Sequence, residues 1–247
     1  MRTAVARLAL LAIVLVAPVR ANDLPPDVSI KGDYAKITMF MSGHVLRNRE
    51  LAENCRQETR DWAKTIEADE RSKASAPPQE VPSFGRRYDL FTIVGNGRYS
   101  SVLRMSATEI DDVYNAIENT TLLWDSKEKK RIDLSRFFGE TKDGGPAMIR
   151  LFAEATEGLV GKIGKDKAAE LIGTLRPSLD GIGPISLTPS TVDGKSSGLD
   201  FHYAIAVPGQ FQLSHVVVFV PWTKFKRHLS PQGRTIFGGK WRYRYLW

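Results

Sequence analysis

The chain has a single cysteine, Cys55, among its 247 residues, so no internal disulfide can brace it and its stability must come from a buried core. Metal chemistry of the Cys/His kind has little to work with. His44, His202, His215 and His228 are scattered, and no HxxxH, HxH or CxxC spacing occurs. The GxSxG elbow of a serine hydrolase is missing, and Ser100-Ser101 and Ser196-Ser197 fall in hairpin and turn contexts where hydroxyls satisfy backbone groups. "GNGR" at Gly95–Arg98 lacks the helix and lysine of a phosphate-cradling loop and reads as a hairpin turn. No internal repeat is visible. These absences lead us to expect no cofactor and no metal.

What is present is an ordinary globular balance, 42% hydrophobic and 26% charged. The N-terminal "MRTAVARLALLAIVLVAPVRA" sets Arg2 and Arg7 around a short apolar run from Leu8 to Ala17, with Val19 and Ala21 at the small-residue positions of a cleavage site. It reads as a signal peptide over residues 1–21. The run is shorter than the ~20 residues that span a bilayer and is broken by Pro18, so no transmembrane anchor is expected after cleavage and the product is expected to be periplasmic or secreted. Loss of Arg2, Arg7 and Arg20 with no acid lowers the formal charge from +7 to +4. That excess is too diffuse to argue for nucleic acid, so no nucleic-acid partner is expected, and it favours a cell-wall polymer or an envelope protein.

The residue pattern predicts one α+β unit over 22–247, antiparallel sheets with hairpins packed against a few amphipathic helices. Its N-terminal strand–helix part covers 22–80 and its hairpin-rich core 84–247. Ile30, Ile37, Met39 and Met41 alternate as strands, and Leu51, Cys55, Trp62 and Ile66 share one face of a helix from about Asn48 to Ser75, with Cys55 a buried thiol. Tyr88–Ile93 and Tyr99–Leu103 form the clearest hairpin. Tyr114–Trp124 is a long strand, "DSKEKKR" a turn begun by Asp125 with an exposed tip, and Ile132-Asp133-Leu134 the returning strand. Phe137-Phe138 plugs the sheet. Pro146 starts a helix whose end Gly158, Gly161 and Gly164 weaken, and a second helix runs from about Asp166 to Leu175. "GPISLTPSTV", "GLDFHYAIAV" and "SHVVVFVPW" supply further strands, "TKFKRHL" a helical turn, and the chain ends in "GGKWRYRYLW".

Three groups of residues have a chemical reading. In the tail, a strand would place Trp241, Tyr243 and Tyr245 on one face and Arg242 and Arg244 on the other, a surface suited to sugar rings or an anionic polymer. The same pattern also describes a last strand with its rings in the core. Glu109, Asp111 and Asp112 form an acidic cluster that reads as a solvated loop, or as the carboxylates of a glycan hydrolase assisted by Asp125 or His202. His202 and His215 fall on adjoining strands and can meet in space, as an acid/base pair or as hydrogen-bonded strand histidines.

Taken in order, "YSSVLRMS", "TTLLWDSKEKKRIDLSRFF", "LDFHYAIAV", "VVVFVPWTKF" and "LSPQGRTIFGG" resemble the extracytoplasmic domain shared by the anti-sigma-V factor and a peptidoglycan deacetylase. The order, over more than a hundred residues, carries the resemblance. The Gly-Gly-Ala-His segment typical of that domain is replaced by "ATEIDDVYNAIEN", so no role of that loop carries over. The resemblance implies an α+β module outside the membrane. The reading is therefore a non-catalytic binding or sensing module of the bacterial envelope, with an envelope glycan hydrolase or deacetylase as the alternative and an inhibitor of a lytic enzyme as a third.

Overall fold

In the computed structural model, residues 25–110, 113–206 and 213–242 are described, with side chains omitted at 109, 110, 113–117, 206, 213 and 214. Among them no helix is long and apolar enough to cross a membrane. Strands β1 (Val28–Lys31) and β2 (Lys36–Met41) pair antiparallel. The chain then passes through α1 (Gly43–Leu46) and α2 (Arg49–Lys73) before returning in β3 (Ser83–Val94). A strand that returns through a helical crossover re-enters the sheet in its original direction, so β3 runs parallel to β2, Ile37 opposite Phe84 and Met41 opposite Tyr88. Among the described residues this is the one parallel pair in an otherwise antiparallel six-stranded sheet. β4 (Tyr99–Ile110), β5 (Val113–Asp125) and β6 (Lys130–Ile132) complete it as a meander in the order β1-β2-β3-β4-β5-β6.

Helix α2 begins where its sequence says it should. The Asn48 side chain accepts from the Leu51 amide at 3.1 Å, satisfying an orphan donor of the first turn. Its buried stripe, Leu51, Ala52 and Cys55, packs on Met39, Tyr88, Val102, Leu122 and Trp124. Further along, Trp62 and Ile66 are half-buried against Phe84 and Ile37, Trp62 edge-on to Phe84 at 6.3 Å. Near the helix end the Glu67 carboxylate accepts the amides of Asp33 and Tyr34, closing the β1–β2 turn.

The opposite face of the large sheet carries the second one, β7 (Ile185–Pro189), β8 (Ser196–Ala206) and β9 (Leu213–Pro221). An outer strand with free amides invites aggregation. Here the Leu187 amide donates to Ser101 Oγ (3.1 Å) and the Ile185 amide to Thr121 Oγ1 (3.0 Å), so hydroxyls from β4 and β5 seal the edge of β7. Ser101, Ser196 and Ser197 thus serve the backbone, as expected. The main core lies between the small sheet, α3 (Pro146–Ile163), α4 (Lys165–Thr174), α5 (Pro231–Ile236) and the plug, where Phe137, Phe138, Phe225 and Phe237 stack edge to face or tilted.

Several sequence expectations need correction. β6 covers Lys130–Ile132, and Asp133–Leu134 is not strand: the Asp133 carboxylate accepts the Ser135 amide at 2.6 Å and starts a 3-10 turn over Leu134–Phe137. Gly158 does not weaken α3, which continues to Ile163. A Cβ there would lie 2.3 Å from Val218 Cγ1, so the glycine lets the helix lie close on β9. The hairpin turn expected at Gly95–Arg98 is in place between β3 and β4, with positive φ at Gly95, Asn96 and Gly97. Helix α5 was not foreseen, although Ser230-Pro231 is a cap followed by proline at the first helical position, and Ser230 Oγ accepts the Gly233 amide at 3.0 Å.

Candidate functional site

β6 pairs with β5 only over Leu123–Asp125. Beyond it the Asp133 turn takes the chain out of the sheet. Among the described residues, the outer edge of β5 from Val113 to Leu122 therefore has no strand partner. An open cleft of ≈ 390 Å³ lies where β6 stops, with Thr120 and Leu122 of β5 on one side, Arg131 and Asp133 at the end, and Asp180 and Pro184 opposite. Its size falls within the range of ligand sites. Nothing in the periodicity of β5 announces this edge; it follows from β6 being short.

The end of the cleft is fixed by a half-buried ionic cluster. Arg131 donates to both Glu58 oxygens, at 3.0 and 2.6 Å, and to Asn54 Oδ1 at 2.7 Å. Arg104 also pairs with Glu58, and the Tyr88 hydroxyl donates to it at 2.8 Å. Burial alone would raise the Glu58 carboxyl, but the Arg131 hydrogen bond and the charges of Arg131 and Arg104 win and hold it at about 2. Beside it, Cys55 is fully buried and its thiol is pushed up to about 12 by burial. The sequence reading missed this cluster. Glu58 sits three residues after Cys55 on the buried side of α2, and Arg104 lies between Val102 and Ser106 on the helix-facing side of β4; a charge at such positions demands a partner.

Asp125 is more than a turn-starting residue. It does accept the amides of Lys127 and Glu128, at 2.9 and 3.1 Å. It is also fully buried, taking Arg98 through Nε and Nη2 (3.0 and 2.7 Å) and Arg136 at 3.2 Å. Burial opposes its ionisation, but the Arg98 hydrogen bond and the two amides keep its carboxyl below the usual range. The expected exposed tip is likewise engaged: Glu128 binds Arg136 and Lys130, and Lys129 reaches Glu50 at 3.0 Å. A second open cleft, ≈ 800 Å³, borders this group near Tyr99 and Gln232, but its charged lining is spent on these internal pairs.

The two strand histidines meet. His202 Nδ1 lies 3.1 Å from His215 Nε2, the rings nearly parallel at 18°, and His202 Nε2 is 2.7 Å from Ser186 Oγ. Phe91 stands edge-on to His202, with ring centroids 4.8 Å apart. Serine, base and orienting group are in triad order. Yet Ser186 and His202 are each 1% exposed, so the nucleophile faces no substrate. Burial, and then the neighbouring His215, lower His202 to about 3; the pair is neutral at pH 7 and reads as a hydrogen-bonded strand pair. Two positions along β8, burial lifts the Asp200 carboxyl to about 7, with the Thr188 hydroxyl pulling the other way.

Of the tail, Trp241 and Arg242 are described. Trp241 is bridged to Ser190, lies 6.0 Å from Phe219 in a tilted contact, and is 49% exposed. The Arg242 amide donates to the Pro189 carbonyl. Tyr243, Arg244 and Tyr245 lie outside the described residues, as do Asp111 and Asp112. Glu109 is placed by its backbone in β4, opposite Tyr114. Among the described residues no group of three His, Cys, Asp or Glu side chains is placed to hold a metal ion.

No family model matches the chain, and no curated protein matches it. Among solved structures it is similar to a DUF3298-family protein from Bacteroides fragilis, at 14% identity and a TM-score of 0.42 over 76% of this chain and 70% of that one. A DUF3298-family protein from Pseudomonas aeruginosa PAO1 is similar at 11% identity and a TM-score of 0.43, over 88% of this chain and 99% of the other. The structural neighbours are thus domains of unknown function.

Proposed function

We propose that this protein is an extracytoplasmic binding module of the bacterial cell envelope, and that its ligand seat is the cleft beside the free edge of β5. The observation that carries the reading is the unpaired strand edge flanking an open cleft whose end is pinned by Glu58 and Arg131. The leader-like N-terminus and an order of motifs that resembles extracytoplasmic domains support the compartment. Catalysis gains no support from the described carboxylate clusters, because Glu58, Asp125 and Glu128 are each neutralised by arginine. The test is co-sedimentation of residues 22–247 with peptidoglycan sacculi that retain their bound proteins, at low and at physiological salt. Binding should survive physiological salt and weaken at least about tenfold in Asp180→Trp, which narrows the cleft from its exposed lip. A protein that stays in the supernatant at both salts overturns the reading.

A further inference from the structure

Resting on that reading, we infer that the occupant of the cleft is an extended segment of another envelope protein, carrying basic side chains and adding as a strand to the edge of β5. Along Val113–Leu122 the backbone is extended and its outer edge has no strand partner among the described residues. Such an edge offers alternating N–H donors and C=O acceptors at the strand repeat, which only another extended polypeptide matches in spacing. A sugar polymer does not fit as well, since among the described residues no aromatic ring lines the cleft on which its rings could stack. The short stem peptides of peptidoglycan are also a poor match, because a free edge of this length spans roughly 30 Å at ~3.4 Å per residue.

The charge of the occupant follows from the lips of the cleft. Arg131 is compensated by Glu58, its guanidinium already bound to both carboxylate oxygens. Asp133 and Asp180 are exposed and form no ion pair among the described residues; Asp133 uses one oxygen on the Ser135 amide. The cleft is therefore locally acidic in a protein of positive net charge. A strand entering it is favoured by lysine or arginine near those two positions, and repelled if acidic there.

The probe is a fluorescein-labelled peptide of about nine residues alternating Lys with Val and Thr, the span of such an added strand. Its controls are the same peptide N-methylated at alternate residues and an analogue with Glu in place of Lys. Anisotropy should show saturable binding that is at least about tenfold weaker for both controls and for the double variant Asp133→Asn/Asp180→Asn, in which the carboxamide introduced in place of Asp133 retains an oxygen to start the turn. Amide exchange over Val113–Leu122 should slow on binding, which a purely electrostatic attachment elsewhere would not produce.

Equal binding of the N-methylated peptide overturns the strand-addition inference. So does a dimer in solution whose own β5 amides are already protected, since the edge would then belong to a second copy. Sacculi separate the two readings. If protein-retaining sacculi bind, protease-stripped sacculi do not, and the unmethylated peptide binds more tightly than its N-methylated form, the inference stands; if no peptide binds, it falls. If both bind alike and no peptide does, the seat remains but its occupant is not a protein strand. If neither kind of sacculi binds and no peptide does, the envelope reading falls with it.

Discussion

Asp200→Asn should stabilise the protein at alkaline pH and leave it nearly unchanged at acid pH. Asp200 is 5% exposed, and its carboxyl is raised from 3.8 to about 7 by burial. Because the folded value lies above the unfolded one, the folded state holds its proton more tightly. The contribution to stability is greatest below pH 3.8, declines between 3.8 and about 7, and is flat above. A shift of about three units at ~1.4 kcal/mol each sets an upper bound of about 4 kcal/mol on the penalty at pH 8, with about 1–2 kcal/mol expected after local relaxation. His202, lowered to about 3 from 6.5, acts in the opposite direction: it removes stability as pH falls through that window. In the wild type the two slopes oppose each other between pH 3.8 and 6.5. In Asp200→Asn the opposing Asp200 slope is gone, and His202, with His215 and His228 lowered in the same direction, should make stability rise from about pH 4 to 6.5. Urea unfolding followed by tryptophan fluorescence at several pH values measures both effects. A variant less stable than wild type at pH 8 would refute the reasoning, because the carboxylate would then be an anchored anion rather than a buried liability.

Three further outcomes are expected. Glu58→Gln should cost about 2–4 kcal/mol at pH 7, less than a fully buried pair because Arg131 is partly exposed, and the difference from wild type should vanish as pH falls from 4.5 towards 2, where Glu58 protonates in the wild type. Gly158→Ala sets a helix gain of ~1 kcal/mol against an overpacking cost of ~1–3 kcal/mol from the 2.3 Å approach to Val218, so it should destabilise. The same change in a Val218→Ala background should stabilise, and thermal unfolding of the four proteins reads the cycle. Cys55 should fail to react with a disulfide reagent in native buffer and react fully in denaturant; rapid native labelling would show that α2 lifts from the sheet.

The elements that obey local rules were legible in the sequence. Cys55 and Leu51 lie where the helical period puts them, and Pro146 opens its helix. His202 and His215 meet because alternate residues of paired strands share a face. What was not legible depends on pairings across the chain. Whether Asp125 is a turn residue or a buried anchor is decided by Arg98 and Arg136, 27 and 11 positions away. Whether β5 is interior or edge is decided by where Asp133 diverts the chain. Neither fact leaves a periodic trace in its own neighbourhood, so the sequence alone offers Asp125 as a turn residue or a hydrolase acid but not as the anchor of two arginines, and it gives the cleft no place.

Both ionic clusters grip the same hairpin, beside the end of the cleft. Glu58, from α2, holds β4 through Arg104 and β6 through Arg131 on one face of the sheet. Asp125, at the end of β5, holds the β3–β4 turn through Arg98 and the 3-10 turn through Arg136. The Asn48 amide group adds a third tie, donating to Ser126 Oγ at 3.2 Å. With no disulfide to do so, these charged side chains anchor the β5–β6 hairpin, whose second strand ends at the Asp133 turn and so sets the end of the cleft. Individually such pairs contribute modest net stability once desolvation is counted. Their geometric effect is larger, because a ligand meeting a fixed edge loses no free energy in ordering the protein first. A strand bound as proposed would meet an edge whose cleft end is already fixed.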